Sequence, residues 1–90
     1  MAYDTVTVTT AATPIVVANT MRKALTLVNT SEGTVVYIGP DASITTSNAI
    51  PLYETQTREN GKVISEAWLG PIYGIVGTGT ADVRYWQVEA

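Results

Sequence analysis

Apolar and polar positions alternate with a short period along the whole chain. Asp4 to Thr10 sets Val6 and Val8 on one face against Thr5, Thr7 and Thr9 on the other, the pattern of a half-exposed strand. Pro14 opens the run Ile15-Val16-Val17-Ala18; a missing N–H is harmless at a first strand position or a sheet edge. Arg22 to Asn29 turns Leu25 and Leu27 inward around Thr26. Thr34 to Ile38 is a β-branched and aromatic run suited to a central strand. Lys62 to Leu69 opposes Val63, Ser65, Ala67 and Leu69 to Ile64, Glu66 and Trp68. Ile72 to Val76 is a further strand, in which Gly74 marks a bulge or a close backbone approach. Thr80 to Val88 closes the series, with Val83, Tyr85 and Gln87 facing one way and Arg84, Trp86 and Val88 the other.

Turn chemistry separates these runs. Ser31-Glu32-Gly33, Gly39-Pro40-Asp41 and Gly70-Pro71 break the chain, Gly77-Thr78-Gly79 reads as a tight hairpin turn, and Asn60-Gly61 has the makeup of a type I′ hairpin turn. Ala42 to Pro51 reads as a loop with at most a short strand at Ile44-Thr45-Thr46, anchored to the core by Leu52. No segment sustains a 3.6-residue period. The pattern predicts one all-β domain over residues 1–90: a small β-sandwich or jelly-roll-like barrel of seven or eight strands with almost no helix. Residues 1–12 are expected to form an N-terminal arm or an edge strand.

Size and composition then narrow the function. A chain of 90 residues and 9.6 kDa can hide only about 63% of its surface within one copy. It contains no Cys and no His, which removes disulfides, thiolate and imidazole metal sites, and the Ser-His and Cys-His nucleophile systems. Charged residues make up 14%, against about 25% in typical domains, and Thr at fifteen positions takes their place. With a mean hydropathy of +0.15, the surface is either neutral and hydroxyl-rich or partly hidden in a larger assembly. A net charge of −3 with five scattered basic residues speaks against nucleic acid, which needs clustered Lys and Arg. Neither a secretory signal nor a membrane span is visible.

Candidate chemistry is sparse. The eight carboxylates, Asp4, Glu32, Asp41, Glu54, Glu59, Glu66, Asp82 and Glu89, are scattered, whereas a glycosidase needs two facing each other roughly 5 to 10 Å apart. Gly77-Thr78-Gly79-Thr80 looks like a phosphate-cradling loop but lacks the third glycine and precedes a strand. Asn29-Thr30-Ser31 fits the glycosylation acceptor pattern, and Asn29 is equally a strand-end turn residue. No calcium-loop spacing, cofactor motif or metal-ligand set is present. The chain therefore reads as a non-enzymatic protein without cofactors. Trp68 and Trp86 lie on the strand faces that also carry Glu66 and Arg84. They form either a mixed aromatic and charged patch, able to anchor an interface or stack on sugar rings, or bulk for a core without Phe. The candidate interface residues are Val6, Val8, Trp68, Tyr73, Arg84 and Trp86.

From Arg22 to Trp86 the chain resembles the small β-rich virion proteins of tailed bacteriophages. The landmarks are Arg22-x-x-Leu25-x-Leu27-x-Asn29, Val36-Tyr37-Ile38-Gly39, Ile44-Thr45-Thr46-Ser47-Asn48 followed by Pro51-Leu52, Ile72-Tyr73-Gly74-Ile75, and Gly79-Thr80-Ala81-Asp82-Val83-Arg84. Ala49 stands where the family carries a loop glycine. The resemblance implies a structural role at the capsid surface of the virion, as a decoration or cement protein that binds the major capsid protein and self-associates as a homotrimer. Related modules in head fibres and tails imply the alternative of a carbohydrate- or receptor-binding module. It implies no catalytic residues, no nucleic acid and no membrane. The first strand, with its Thr-Val alternation and few charges, is expected to reach a neighbour by strand addition.

Overall fold

The computed structural model describes residues 2–54, 61–64 and 68–89. Among them eight strands form and no helix: β1 (Ala2–Val8), β2 (Thr13–Val16), β3 (Arg22–Asn29), β4 (Val36–Gly39), β5 (Ile50–Leu52), β6 (Gly61–Ile64), β7 (Ile72–Ile75) and β8 (Ala81–Glu89). They make two four-stranded antiparallel sheets, ordered β1-β8-β3-β6 and β2-β7-β4-β5. The fold is a small β-sandwich. The inward alternation is as expected: Val8, Leu25, Leu27 and Val83 of the first sheet meet Ile15, Val36, Ile38, Leu52 and Ile72 of the second in one core. A register irregularity in β2 between Pro14 and Val16 lets the adjacent Ile15 and Val16 both be buried. Pro14 and Pro51 lie on β2 and β5, the two edges of their sheet, where a missing donor breaks no ladder.

Connectivity departs from the local turn signals. Apart from β4 and β5, every pair of consecutive strands falls in opposite sheets. Gly77-Thr78-Gly79 is therefore not a hairpin turn: it carries the chain from β7 in one sheet to β8 in the other, with Gly79 at φ 69°. Asn60-Gly61 does not join a hairpin either, because β5 pairs with β4 and β6 with β3; Asn60 itself lies outside the described residues. So does the expected continuation of β6 through Ser65, Glu66 and Ala67. The one hairpin of consecutive strands, β4–β5, is joined by the long segment read as a loop. Ile44-Thr45-Thr46 is not a strand. Asp41 Oδ1 accepts the Ser43 amide and hydroxyl, and Asn48 Oδ1 accepts the Thr45 amide at 2.7 Å, so side chains compete successfully for the local backbone. The segment is pinned by Ile44, which is buried over Gly39.

Of the two expectations for this N-terminal segment, arm or edge strand, β1 takes the second and forms an edge of its sheet. β1 lies along β8 through seven register pairs, and Val8 is wholly enclosed in the core. The accessible surface, 5,095 Å², is what a lone chain of this mass should show, about 5,100 Å². One copy thus completes its own core.

Two positions explain how the sheets close on each other. Gly74 sits mid-strand in β7 where a Cβ would stand 2.8 Å from Ile15 Cδ1 and 3.3 Å from Val8 Cγ2 and Val36 Cγ1; the close approach expected from sequence is present. Gly74→Ala should cost about 1–3 kcal/mol through overpacking, read as a lower urea midpoint; an unchanged midpoint would show that the sheets separate at no cost. Asn29, at the end of β3, donates both amide hydrogens, to Thr34 O at 2.8 Å and Leu52 O at 3.0 Å, and its Oδ1 accepts the Ser31 amide at 3.0 Å. It is a turn residue that also stitches β3 to β5 in the opposite sheet. Buried and engaged in this way, its nitrogen is closed to glycosylation in the folded chain.

Candidate functional site

The outward face of the β1-β8-β3-β6 sheet carries the most unusual surface. Alternation in β8 that buries Val83 and Gln87 must expose Arg84 and Trp86, since successive side chains point to opposite faces. The ladders then place Trp86 between Tyr3 of β1 and Thr26 of β3, and Arg84 between Thr5 and Val28. Tyr3 is 79% exposed and Trp86 56%. Together with Asp4 and Tyr85 these residues border an open depression of about 730 Å³. Asp4 Oδ1 accepts the Thr5 amide at 2.7 Å, so that amide is not given to β8 and stands on the free side of the strand. Thr5 and Arg84 therefore face each other without exchanging ladder bonds. Two residues along, Tyr3 and Trp86 form the same kind of pair, the one in which side chains approach most closely.

A second feature lies at one end of the sandwich. Arg22 opens β3 yet is almost completely buried. Its Nε donates to Gln87 Oε1 at 2.7 Å, Nη1 to Trp68 O at 3.1 Å and Gly70 O at 2.9 Å, and Nη2 to Val17 O at 3.0 Å. Burial lowers its pKa from the ordinary guanidinium value, yet the fork geometry lets one charged group satisfy four neutral acceptors. Asn19 adds a backbone bond to Leu69 O at 2.8 Å and a side-chain bond to Glu89 Oε2 at 3.1 Å. The β2–β3 and β6–β7 connections are thereby locked side by side. Both present apolar side chains to solvent: Val17 is 74% exposed, Met21 53% and Trp68 39%. Trp68 is held over Gly70 and donates Nε1–H to Pro71 O at 3.1 Å.

The six interface residues expected from sequence do not converge. Arg84 and Trp86 share the outward face. Val8 belongs to the core and offers no side chain to a partner, and Val6 is half-buried against that core, because their alternation is satisfied inside one copy. Tyr73 is half-buried on the other sheet, between Pro14 and Gly39 in the ladders. Trp68 stands in the β6–β7 connection, and β3 separates β6 from β8, so the two tryptophans do not form one cross-strand patch. Neither is a core residue. Tyr3, the most exposed aromatic, was signalled only by the parity of β1.

Among the described residues Asp4 is the one carboxylate bordering the depression, Asp82 accepts the Thr7 hydroxyl at 3.0 Å, and the Ser43 hydroxyl and amide hold Asp41 below the usual carboxylate range within its turn. Among the described residues no group of three or more acidic side chains gathers to hold a metal, and no helix is long and apolar enough to cross a membrane. Set against known proteins, the chain matches no family model, no curated protein and no solved structure.

Proposed function

We propose that this chain is a non-enzymatic structural protein of a tailed-phage virion, a decoration or cement protein that binds the capsid shell and self-associates there. The observation that carries the reading is the apolar end formed by Val17, Met21 and Trp68, held open by the buried Arg22. Exposed apolar groups on rigid supports favour association, because little side-chain freedom remains to be lost on contact. A rigid tip suits a repetitive protein shell.

The free edge of β1 is the second contact. It runs seven residues with no Pro and no Lys, and its single charge, Asp4, already covers the Thr5 amide. Edges of this length and neutrality are templates for strand addition unless blocked. The decisive experiment measures the mass of the protein in solution and its binding to expanded capsids that lack it. A homo-oligomer, most simply a trimer, that binds such capsids is expected; a monomer that ignores them would refute the proposal. Thr7→Pro isolates the edge contribution: two residues along from Thr5, Thr7 likewise turns its N–H away from β8, and no side chain among the described residues covers it, so folding should survive while capsid-bound protein falls at least several-fold. Undiminished binding would remove β1 from the contact. Deleting residues 1–10 is a poorer probe, since it would take Val8 out of the core.

A further inference from the structure

We infer that the outward face centred on Tyr3, Trp86 and Arg84 binds an acidic saccharide, a hexuronate-containing oligosaccharide being the simplest case. This reading is independent of capsid docking, which uses the apolar end and the edge of β1, whereas the saccharide would lie on the sheet's face.

Three observations support it. The Tyr3–Trp86 cross-strand pair exposes aromatic surface on a rigid ladder, and sugar C–H faces stack on such surface without an induced change in the protein. Beside it Thr5 and Thr26 flank Arg84 and Trp86 in register and add hydroxyls, which both donate and accept, to a largely apolar floor. The charge pattern then selects the class of sugar. Among the described residues Arg84 is the one cation bordering the depression, and nothing there pairs with its guanidinium. The neighbouring carboxylates are already engaged, Asp4 with the Thr5 amide and Asp82 with the Thr7 hydroxyl. A guanidinium left open beside an aromatic platform matches a carboxylate bidentately, and a uronate carries that carboxylate on the ring that stacks. The depression, about 730 Å³, is of the size that holds a small oligosaccharide. A protein partner would instead need a wider contact, roughly 800 Å² per side, than this strip of two ladder rows provides.

Binding of a trigalacturonate and of neutral maltotriose to the protein in its native oligomeric state is compared by following the two tryptophan indole N–H resonances, assigned with Trp86→Phe. The trigalacturonate is expected to shift the Trp86 signal and to leave the Trp68 signal in place. Tyr3→Ala, which removes half of the aromatic pair and keeps the Trp86 signal, should weaken the effect several-fold, and Arg84→Gln should weaken it roughly tenfold while the melting temperature stays unchanged. Three results would overturn the inference: equal shifts with maltotriose, a response confined to Trp68, or no response at about 10 mM, several times the millimolar scale of weak binding. The last of these would leave the capsid-binding proposal standing, since that is read by particle association.

Discussion

Arg22→Met will unfold this domain at a temperature at least about 15 °C below the parent, a loss of roughly 3–5 kcal/mol. The expectation does not come from charge alone. Replacing both members of a buried polar pair by apolar groups is often harmless, but here the acceptors cannot be replaced. Val17 O, Trp68 O and Gly70 O are backbone carbonyls, and Gln87 Oε1 lies on a central strand. Removing the guanidinium leaves all four without this donor in a buried or partly buried site, and each orphaned group carries a desolvation cost of up to about 1–3 kcal/mol before relaxation. Relaxation is available, because two of the three segments are loops that can swing out to solvent. The net loss therefore stays below the simple sum. Arg22→Lys should fall between parent and Met variant, since an ammonium carries three donors but not the planar fork that reaches four acceptors. Chemical denaturation monitored by tryptophan fluorescence checks the order. A Met variant as stable as the parent would show that the two connections are held by something else.

The same replacement links stability to function. Val17 and Trp68 are presented by the two segments whose carbonyls Arg22 holds, so loosening them should weaken the proposed capsid association even at temperatures where the core remains folded. Arg84→Gln, on an exposed face with no protein partner among the described residues, should leave stability within about 0.5 kcal/mol of the parent. The two arginines thus differ in use: Arg22 is spent on bonds inside the protein, and Arg84 stands on the face proposed to bind saccharide.

What could be read from the sequence follows the range of the forces involved. Face assignments within a strand depend only on neighbours two residues apart, and Leu25, Leu27, Val83 and Gln87 all fall inward as the alternation requires. Edge placement of Pro14 follows from the missing donor, whereas Pro51, read as part of a loop, lies in the short edge strand β5. Pairing partners are another matter. Asn60-Gly61 and Gly77-Thr78-Gly79 have good turn chemistry, yet a turn that sends the chain to the opposite sheet needs the same positive φ as one that returns it beside the same strand. Arg22 could not be recognised as buried because three of its four acceptors lie 46, 48 and 65 residues away in the chain. For the same reason Trp68 and Trp86 could not be kept apart: whether they meet depends on β3 inserting between their strands. Val8 was legible as sharing a face with Val6, but not as a core residue: what covers that face is the opposite sheet of the same copy.

The second large effect is at Asn29, and its direction depends on pH. Asn29→Asp keeps the size of the side chain but exchanges the NH₂ that serves Thr34 O and Leu52 O for an oxygen. At neutral pH that oxygen is part of a buried carboxylate aimed at two carbonyls. Desolvation and the facing dipoles both penalise the charged form, so the new carboxyl in the folded protein titrates above its unfolded value of about 3.9. A group whose folded pKa is raised has its stabilising protonated form fully populated below the unfolded pKa, and loses that contribution as pH rises through the folded pKa. The deficit relative to parent should therefore be smallest near pH 3, about 1–2 kcal/mol, because a protonated carboxyl still supplies only one of the two donors. It should grow by roughly 4 kcal/mol, to about 5–6 kcal/mol at pH 7, if the shift is about three units at 1.36 kcal/mol each. Differences in urea unfolding free energy between parent and variant, taken from pH 3 to pH 8, isolate this one group. A deficit that stays flat, or shrinks as pH rises, would mean that the β3 to β5 stitch opens to water and that the sandwich is closed by its apolar core alone.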